Sequence, residues 1–97
     1  MAKIKEGFVL RNVAGSYYVV AVGNRSKTFK AIITINEVGA FIFNKLKDGL
    51  SVIDIAKAIN NEFALPGETE EDKINHAKND INKFIKTMAD AGIIEDE

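Results

Sequence analysis

The hydrophobic period of the chain changes once, near Asn36, and this change restricts the fold more than any other feature. Before it, residues 8–13, 17–22 and 28–35 are short runs rich in aromatic and β-branched residues, separated by turn-forming clusters that contain glycine. After it, apolar residues recur every three or four positions, as on one face of a helix. Because strands joined by tight turns precede all the helices, the sequence predicts an α+β fold, a three-stranded antiparallel β-meander followed by a three-helix bundle.

Each predicted helix begins at a residue that commonly caps helices, namely Asn36, Ser51 and Thr69. Glycines at positions 49 and 92 end the first and third helices. The second and third helices, with a short Pro-Gly connection between them, resemble a helix-turn-helix, and the sheet stands where a wing would be. The expected architecture is therefore winged helix-turn-helix-like.

Alternation and helical spacing also predict which side chains are buried. In the third strand, the odd positions 29, 31, 33 and 35 should face the core. Ile93 and Ile94 follow the last helix and should pack back under the bundle. The residues expected where sheet and helices meet are Ile35, Phe41, Ile55, Ile59, Phe84 and Ile85.

Composition fits one globular domain over residues 1–97. The chain has 97 residues, is 46% hydrophobic and 28% charged, and can fill only one core. It has no apolar run long enough to span a membrane and no apolar segment at its start to serve as a secretory signal, so we expect a cytoplasmic protein without a membrane partner. The absence of cysteine excludes disulfides, thiol nucleophiles and thiolate metal sites.

Charge is divided unevenly along the chain. Residues 1–35 carry six basic residues and one acidic residue, whereas the remainder carries seven basic and thirteen acidic residues, for a net charge of -1. A basic first third can attract an acidic ligand, although a dispersed, solubilising surface explains the same counts. The third helix begins with Glu70, Glu71 and Asp72, which would repel phosphates at the end of a recognition helix. The sequence therefore does not predict a nucleic-acid partner.

The titratable residues do not form a catalytic set. His76 is the single histidine, and its helical neighbours include Asp72 and Asp80, so we expect a surface histidine loosely paired with one of these carboxylates. No nucleophile or glycine-rich loop accompanies it. The spacing of Asp72, His76 and Asp80 places three potential ligands on one helix face, but a metal site usually needs groups from more than one element. We predict no enzyme activity, no catalytic residue, no metal and no cofactor.

The third strand of a meander has one side unpaired, and an extended peptide can add there as a fourth strand. Free N–H and C=O groups from Phe29 to Ile33 would then bind a peptide backbone. A second interpretation is that Lys27 and Lys30 are charges that protect an exposed edge from aggregation.

The order of these elements resembles a known family, the PqqD-like proteins. The resemblance spans about residues 6 to 94 and rests on combined order and spacing. The matching stretches are residues 33–42, residues 49–52 leading into Ile55 and Ala56, then Ile81, Phe84 and residues 91–94. Members of the family are small winged-helix domains, called precursor-peptide or RiPP recognition elements. They bind the leader of a ribosomally made peptide and present it to a modifying enzyme, which in the founding case is a radical SAM protein of pyrroloquinoline quinone synthesis.

The resemblance implies a non-catalytic peptide-binding chaperone of natural product biosynthesis whose partners are a precursor peptide and a radical SAM or other modifying enzyme. The leader would add antiparallel to the third strand and rest in a groove against the third helix. That groove would be apolar at its base and basic at its mouth, which suits an amphipathic, acidic leader. The implied peptide-binding residues are Lys27, Thr28, Phe29, Lys30, Ala31, Ile32 and Ile33 on the strand side and Ile74, Ala77, Lys78 and Ile81 on the helix.

Two other functions fit the same outline. A winged-helix transcriptional regulator would bind duplex DNA with strong salt dependence, which separates it from a peptide-binding protein. A purely structural subunit of a larger complex is the third possibility.

Overall fold

The computed structural model describes residues 2–28 and 32–96. It confirms the predicted α+β class. In chain order, the elements are β1 (Ala2–Ile4), β2 (Phe8–Val13), β3 (Ser16–Ala21), α1 (Arg25–Thr28), β4 (Ile33–Ile35), α2 (Glu37–Lys47), α3 (Val52–Glu62), α4 (Glu70–Asp90) and β5 (Ile94–Asp96). Within these two ranges, no helix has both the length and the apolar character needed to cross a membrane.

The predicted hairpin forms β2 and β3. Val13 pairs with Ser16 across a two-residue loop, in which Ala14 and Gly15 have φ of 52° and 84°. Two consecutive positive φ angles are typical of the type I′ turn, whose twist matches that of antiparallel strands. The side chain of Asn12 accepts a hydrogen bond from the Gly15 N–H at 3.2 Å, which holds the loop. β4 pairs antiparallel with β3, so the sheet order is β2-β3-β4.

The third strand is shorter than predicted, and its assignment to Thr28 is wrong. Thr28 ends the short helix α1, where the N–H of Ser26 and that of Lys27 bond to carbonyls three residues earlier and the Ser26 hydroxyl donates to Gly23 O at 2.6 Å. The turn cluster after β3 therefore continues as a helical turn, since serine bonds its own backbone readily. Residues 29–31 lie outside the described ranges, and the strand is observed only from Ile33.

The predicted helix starts are confirmed at all three caps. The side chains of Asn36, Ser51 and Thr69 accept hydrogen bonds from the N–H groups three residues on, at 2.8, 3.3 and 3.1 Å. Gly49 and Gly92 have φ of 89° and 87° and end α2 and α4. At each end, the glycine N–H bonds three residues back and the next N–H five residues back, which is the Schellman pattern.

The core is one contiguous cluster that takes residues from the sheet, from α2, α3 and α4 and from both terminal strands. Ile55, Ile59 and Ile85 are buried as predicted. Ile35, Phe41 and Phe84 are only half-buried, and the aromatic residues that are fully buried in the described part of the chain are instead Phe8 and Phe43. In α2 the difference arises because the helix is rotated slightly from its predicted orientation. Ile42 and Phe43 point inward, and Phe41 packs against Phe63 with 5.4 Å between ring centroids.

The predicted packing of Ile93 and Ile94 is confirmed, since both are buried. Their partner was not predicted: β5 pairs antiparallel with β1, with Ile4 opposite Ile94. The Lys5 N–H extends this pairing by donating to Ile93 O at 2.9 Å. Three-residue strands carry too little periodicity to be recognised in a sequence.

Candidate functional site

The outer edge of β4 is available for a further strand. Residues that flank a two-residue hairpin loop form a hydrogen-bonded pair, so in β3 the backbone groups of Ser16 and of every second residue after it point toward β2. The Val22 N–H agrees with this phase, because it donates to Gly7 O at 2.8 Å. The backbone groups of Tyr17 and Val19 therefore point toward β4.

The pairing of β4 with β3 determines which backbone N–H and C=O groups of β4 face outward. Tyr17 lies opposite Ile35 and Val19 opposite Ile33, so both isoleucines direct their N–H and C=O groups at β3. Thr34 lies between them and directs its groups away from the sheet. Within the described ranges no strand pairs with this side of β4. Thr34 thus offers the free donor and acceptor of the edge.

The opposite edge of the sheet, on β2, differs because a lysine covers its beginning. The Lys47 ammonium of α2 donates to Phe8 O at 3.2 Å and lies 5.9 Å from the ring centroid of Phe43. A strand arriving at β2 would meet this side chain at its first position. β4 is therefore the more accessible of the two edges.

A cavity lies beside the end of β4, between the start of α2 and the middle of α4. Its volume is about 330 Å³. Its apolar wall comes from Val38, Ile42 and Phe84, and its polar wall from Asn36, Asp80 and Lys83. Such a site has the mixed lining that usually fixes the orientation of a bound side chain.

Gly39 allows the walls of the cavity to meet. It is buried in the first turn of α2, and a Cβ there would lie 3.2 Å from Phe84 Cε1 and 3.3 Å from Ile35 Cβ. β4, the first turn of α2 and the Phe84 ring of α4 thus meet at Gly39. A side chain at this position would have to displace its neighbours. This contact connects the β4 edge with the cavity.

The charges at the cavity are of both signs. Asp80 Oδ2 lies 3.3 Å from His76 Nε2, so of the two carboxylates predicted as partners of the histidine, the structure pairs it with Asp80. Lys83 is exposed, and its ammonium makes no hydrogen bond or ion pair with any residue in the ranges 2–28 and 32–96. Asp72, His76 and Asp80 do not assemble a metal site, and the described chain contains no group of three or more such ligands.

The structure brings only part of the predicted site together. On α4, Ala77 and Ile81 are fully buried, so a ligand cannot touch them unless the core opens. Ile74 is half-buried against the core. Lys78 is two residues before Asp80, about 160° away around the helix, so it lies on the other flank of α4.

On the strand side, Lys27 and Thr28 are exposed on α1 and not on the sheet. Ile32 directly precedes β4 and is 65% exposed, and Ile33 is in β4 with its side chain toward the core. Phe29, Lys30 and Ala31 lie outside the described residues.

The residues that sequence reasoning missed are those of the cavity, above all Val38, Gly39, Asp80, Lys83 and Phe84. One signal was present: a glycine at the third position after an N-cap, inside a helix, often marks close packing. The others lie on two separate helices, α2 and α4, and periodicity within each helix does not show how the two are placed against each other.

Two solved structures share the fold. One is TbiB1 in complex with the TbiA(beta) leader peptide, which is 17% identical over 98% of this chain and 96% of that chain, with a TM-score of 0.72. The other is lasso peptide synthetase B1 complexed with the leader peptide, which is 15% identical over 98% of both chains, with a TM-score of 0.73. A comparison with curated proteins gives no match.

Together these likenesses define a chain with the architecture of a small sheet-and-helix domain seen in leader-peptide complexes. The family described as Coenzyme PQQ synthesis protein D (PqqD) matches residues 9–94. The chain belongs to this family, and the resemblance seen in the sequence is confirmed.

Proposed function

We propose that this chain is a non-catalytic protein that binds the leader of a ribosomally synthesised precursor peptide and presents it to a modifying enzyme. The observation that carries the proposal is the open edge of β4 beside the cavity. Family membership supports it, as does the fold shared with two proteins whose structures hold leader peptides.

Strand addition at β4 is the proposed mode of binding. The N–H and C=O of Thr34 would bond to the peptide backbone, which supplies affinity with little dependence on sequence. The cavity next to the strand would take an apolar side chain of the peptide between Val38 and Phe84. Lys83 at the rim would attract a nearby acidic residue, mainly by raising the association rate.

The structure gives less support to a DNA-binding function. The first turn of α4 carries Glu70, Glu71 and Asp72, and the thirteen acidic residues after position 35 lie in the part of the chain that holds the three long helices. A phosphate backbone would be repelled from the helix that a winged helix normally inserts in the major groove.

The test uses proline at the outward-facing position of the edge. Thr34→Pro removes the free N–H without removing a hydrogen bond to β3, and edge positions tolerate proline. The probes are synthetic, fluorescently labelled leaders of short peptides encoded beside this gene, titrated at low salt. We expect at least a tenfold loss of affinity, with the helical circular dichroism retained.

The matched control is Thr34→Val, which keeps the N–H and the side-chain shape. It should bind a leader like the unmodified protein does. If a folded Thr34→Pro variant binds as tightly as Thr34→Val, the peptide does not add to β4 and the proposed mode is wrong.

A further inference from the structure

A second pocket lies on a different face of α2, where the sheet, α2 and the end of α3 meet. We call it the aromatic pocket. Its volume is about 200 Å³, and its lining includes the half-buried rings of Tyr17, Phe41 and Phe63 and the polar side chains of Glu37, Asn44 and Glu62. Phe41 and Phe63 pack edge to face, with an interplanar angle of 89°.

The two carboxylates of the aromatic pocket have no counter-ion. The carboxylate of neither Glu37 nor Glu62 makes a hydrogen bond or ion pair with any residue in the described ranges. Lys45 is nearby and lies over the Phe41 ring, 5.2 Å from its centroid, yet it pairs with neither carboxylate. The pocket thus combines aromatic faces with two carboxylates that pair with no cation of the described residues.

Glu62 is placed where it destabilises its own helix. It is the last residue of α3, and that helix has no basic residue in its last turn. The C-terminal end of a helix carries partial negative charge, so a carboxylate there is unfavourable. Nothing in the described chain offsets this. A residue that breaks a local rule without structural compensation is often retained for function.

We infer that the aromatic pocket binds an arginine side chain of a partner protein. A guanidinium group is planar, stacks on aromatic faces and donates to two carboxylates at once, which a lysine ammonium does less well. Tyr17 and Phe63 would supply the faces, and Glu37 and Glu62 the acceptors.

This site does not depend on the proposed peptide groove. The cavity beside β4 uses Val38, Gly39 and Ile42 of α2, whereas the aromatic pocket uses Glu37, Phe41 and Asn44 of the same helix. The centres of these two sets lie about 140° apart around the helix. A partner held at the aromatic pocket therefore leaves the β4 edge open.

The test is a titration of the ¹⁵N-labelled full chain with N-acetyl-L-arginine amide at low salt, followed by NMR. We expect saturable shifts centred on Tyr17, Phe41 and Phe63. The citrulline analogue has nearly the same shape without the charge and should give less than one fifth of the effect. Shifts that are scattered over the surface, or equal with citrulline, would overturn the inference.

Variants make the test specific. Glu37→Gln/Glu62→Gln should weaken arginine-amide binding by at least fivefold, whereas the control Glu68→Gln/Glu71→Gln, with the same change of charge on exposed residues elsewhere, should leave it unchanged. Glu62→Gln alone should also raise the melting temperature, because it removes the unfavourable charge at the end of α3. Equal binding by the two double variants would contradict the assignment.

Discussion

At the scale of single residues, Phe43 and Phe84, two of the six phenylalanines of this chain, have different roles. Phe43 is completely enclosed and contributes mainly to stability. Phe84 is half-buried, forms one wall of the cavity and leaves part of its ring accessible. The two residues therefore separate the contribution of the core from that of the proposed binding site.

Truncation of these rings should show the difference. Phe43→Ala should lower the free energy of unfolding by about 3–5 kcal/mol, because it leaves a closed cavity. Phe84→Ala should lower it less, by about 1–2 kcal/mol, because part of the ring stays in contact with solvent and less apolar area is lost from the core. Urea denaturation followed by circular dichroism measures both. Equal losses would show that Phe84 is more enclosed than the structure indicates.

At the scale of elements, the sequence was most informative where signals are local. Caps at Asn36, Ser51 and Thr69 and the glycine after α2 depend on residues within a few positions, and all were predicted. Elements that depend on distant partners were missed or misjudged. β1 exists only because β5 pairs with it, and α1 is held by Arg25, whose Nε donates to Glu6 O at 3.1 Å.

The candidate site followed the same rule, in that its local features were predicted and the contacts between distant elements were not. Its strand was predicted because alternation is local, and the side chains of Ile33 and Ile35 do face the core. The apolar face of α4 was predicted as well, but its residues Ala77 and Ile81 are fully buried in the core and do not line an open groove. Asp80 and Lys83 line the cavity from one flank of α4, which apolar spacing alone does not identify, and Lys78 lies on the opposite flank.

The glycine that ends α2 gives one element-scale prediction. Gly49 has φ of 89°, and a Cβ there would meet no atom within 4 Å, so any cost of substitution is conformational. Gly49→Ala should lower the free energy of unfolding by about 1 kcal/mol. Gly49→Asn should lower it less, because asparagine tolerates this conformation. Thermal melts of both variants test the order, and an asparagine variant less stable than the alanine variant would contradict it.

The pairing of β1 with β5 gives a second element-scale prediction. Ile4 is 7% exposed and joins the core, whereas its neighbour Lys3 is exposed. Ile4→Ala should lower the free energy of unfolding by about 2–4 kcal/mol, and the control Lys3→Ala by less than about 0.5 kcal/mol. Chemical denaturation separates them. A small loss for Ile4→Ala would mean that β1 contributes little to the core.

At the scale of the whole molecule, the single core predicts cooperative unfolding. Val19 of the sheet, Ile55 of α3 and Ile81 of α4 are all fully buried in one cluster. The sheet and the helices therefore share most of their stabilising contacts.

This cooperativity can be observed with the natural chromophores. The chain has no tryptophan, and both tyrosines lie in β3, so tyrosine fluorescence reports on the sheet while circular dichroism at 222 nm reports on the helices. We expect the two urea transitions to coincide. A fluorescence transition at lower urea would show that the sheet unfolds before the bundle.

The pairing of the two terminal strands also determines how the molecule responds to force. Ala2 lies opposite Asp96 at the outer end of the β1–β5 ladder, and Ile4 lies opposite Ile94 at its inner end. A pull on the two ends therefore peels the strands apart and loads their hydrogen bonds one after another, instead of shearing them together. Since each bond resists only weakly, the terminal ladder should open under small tension. Tension applied between the two ends would thus break this contact first and expose the core behind it.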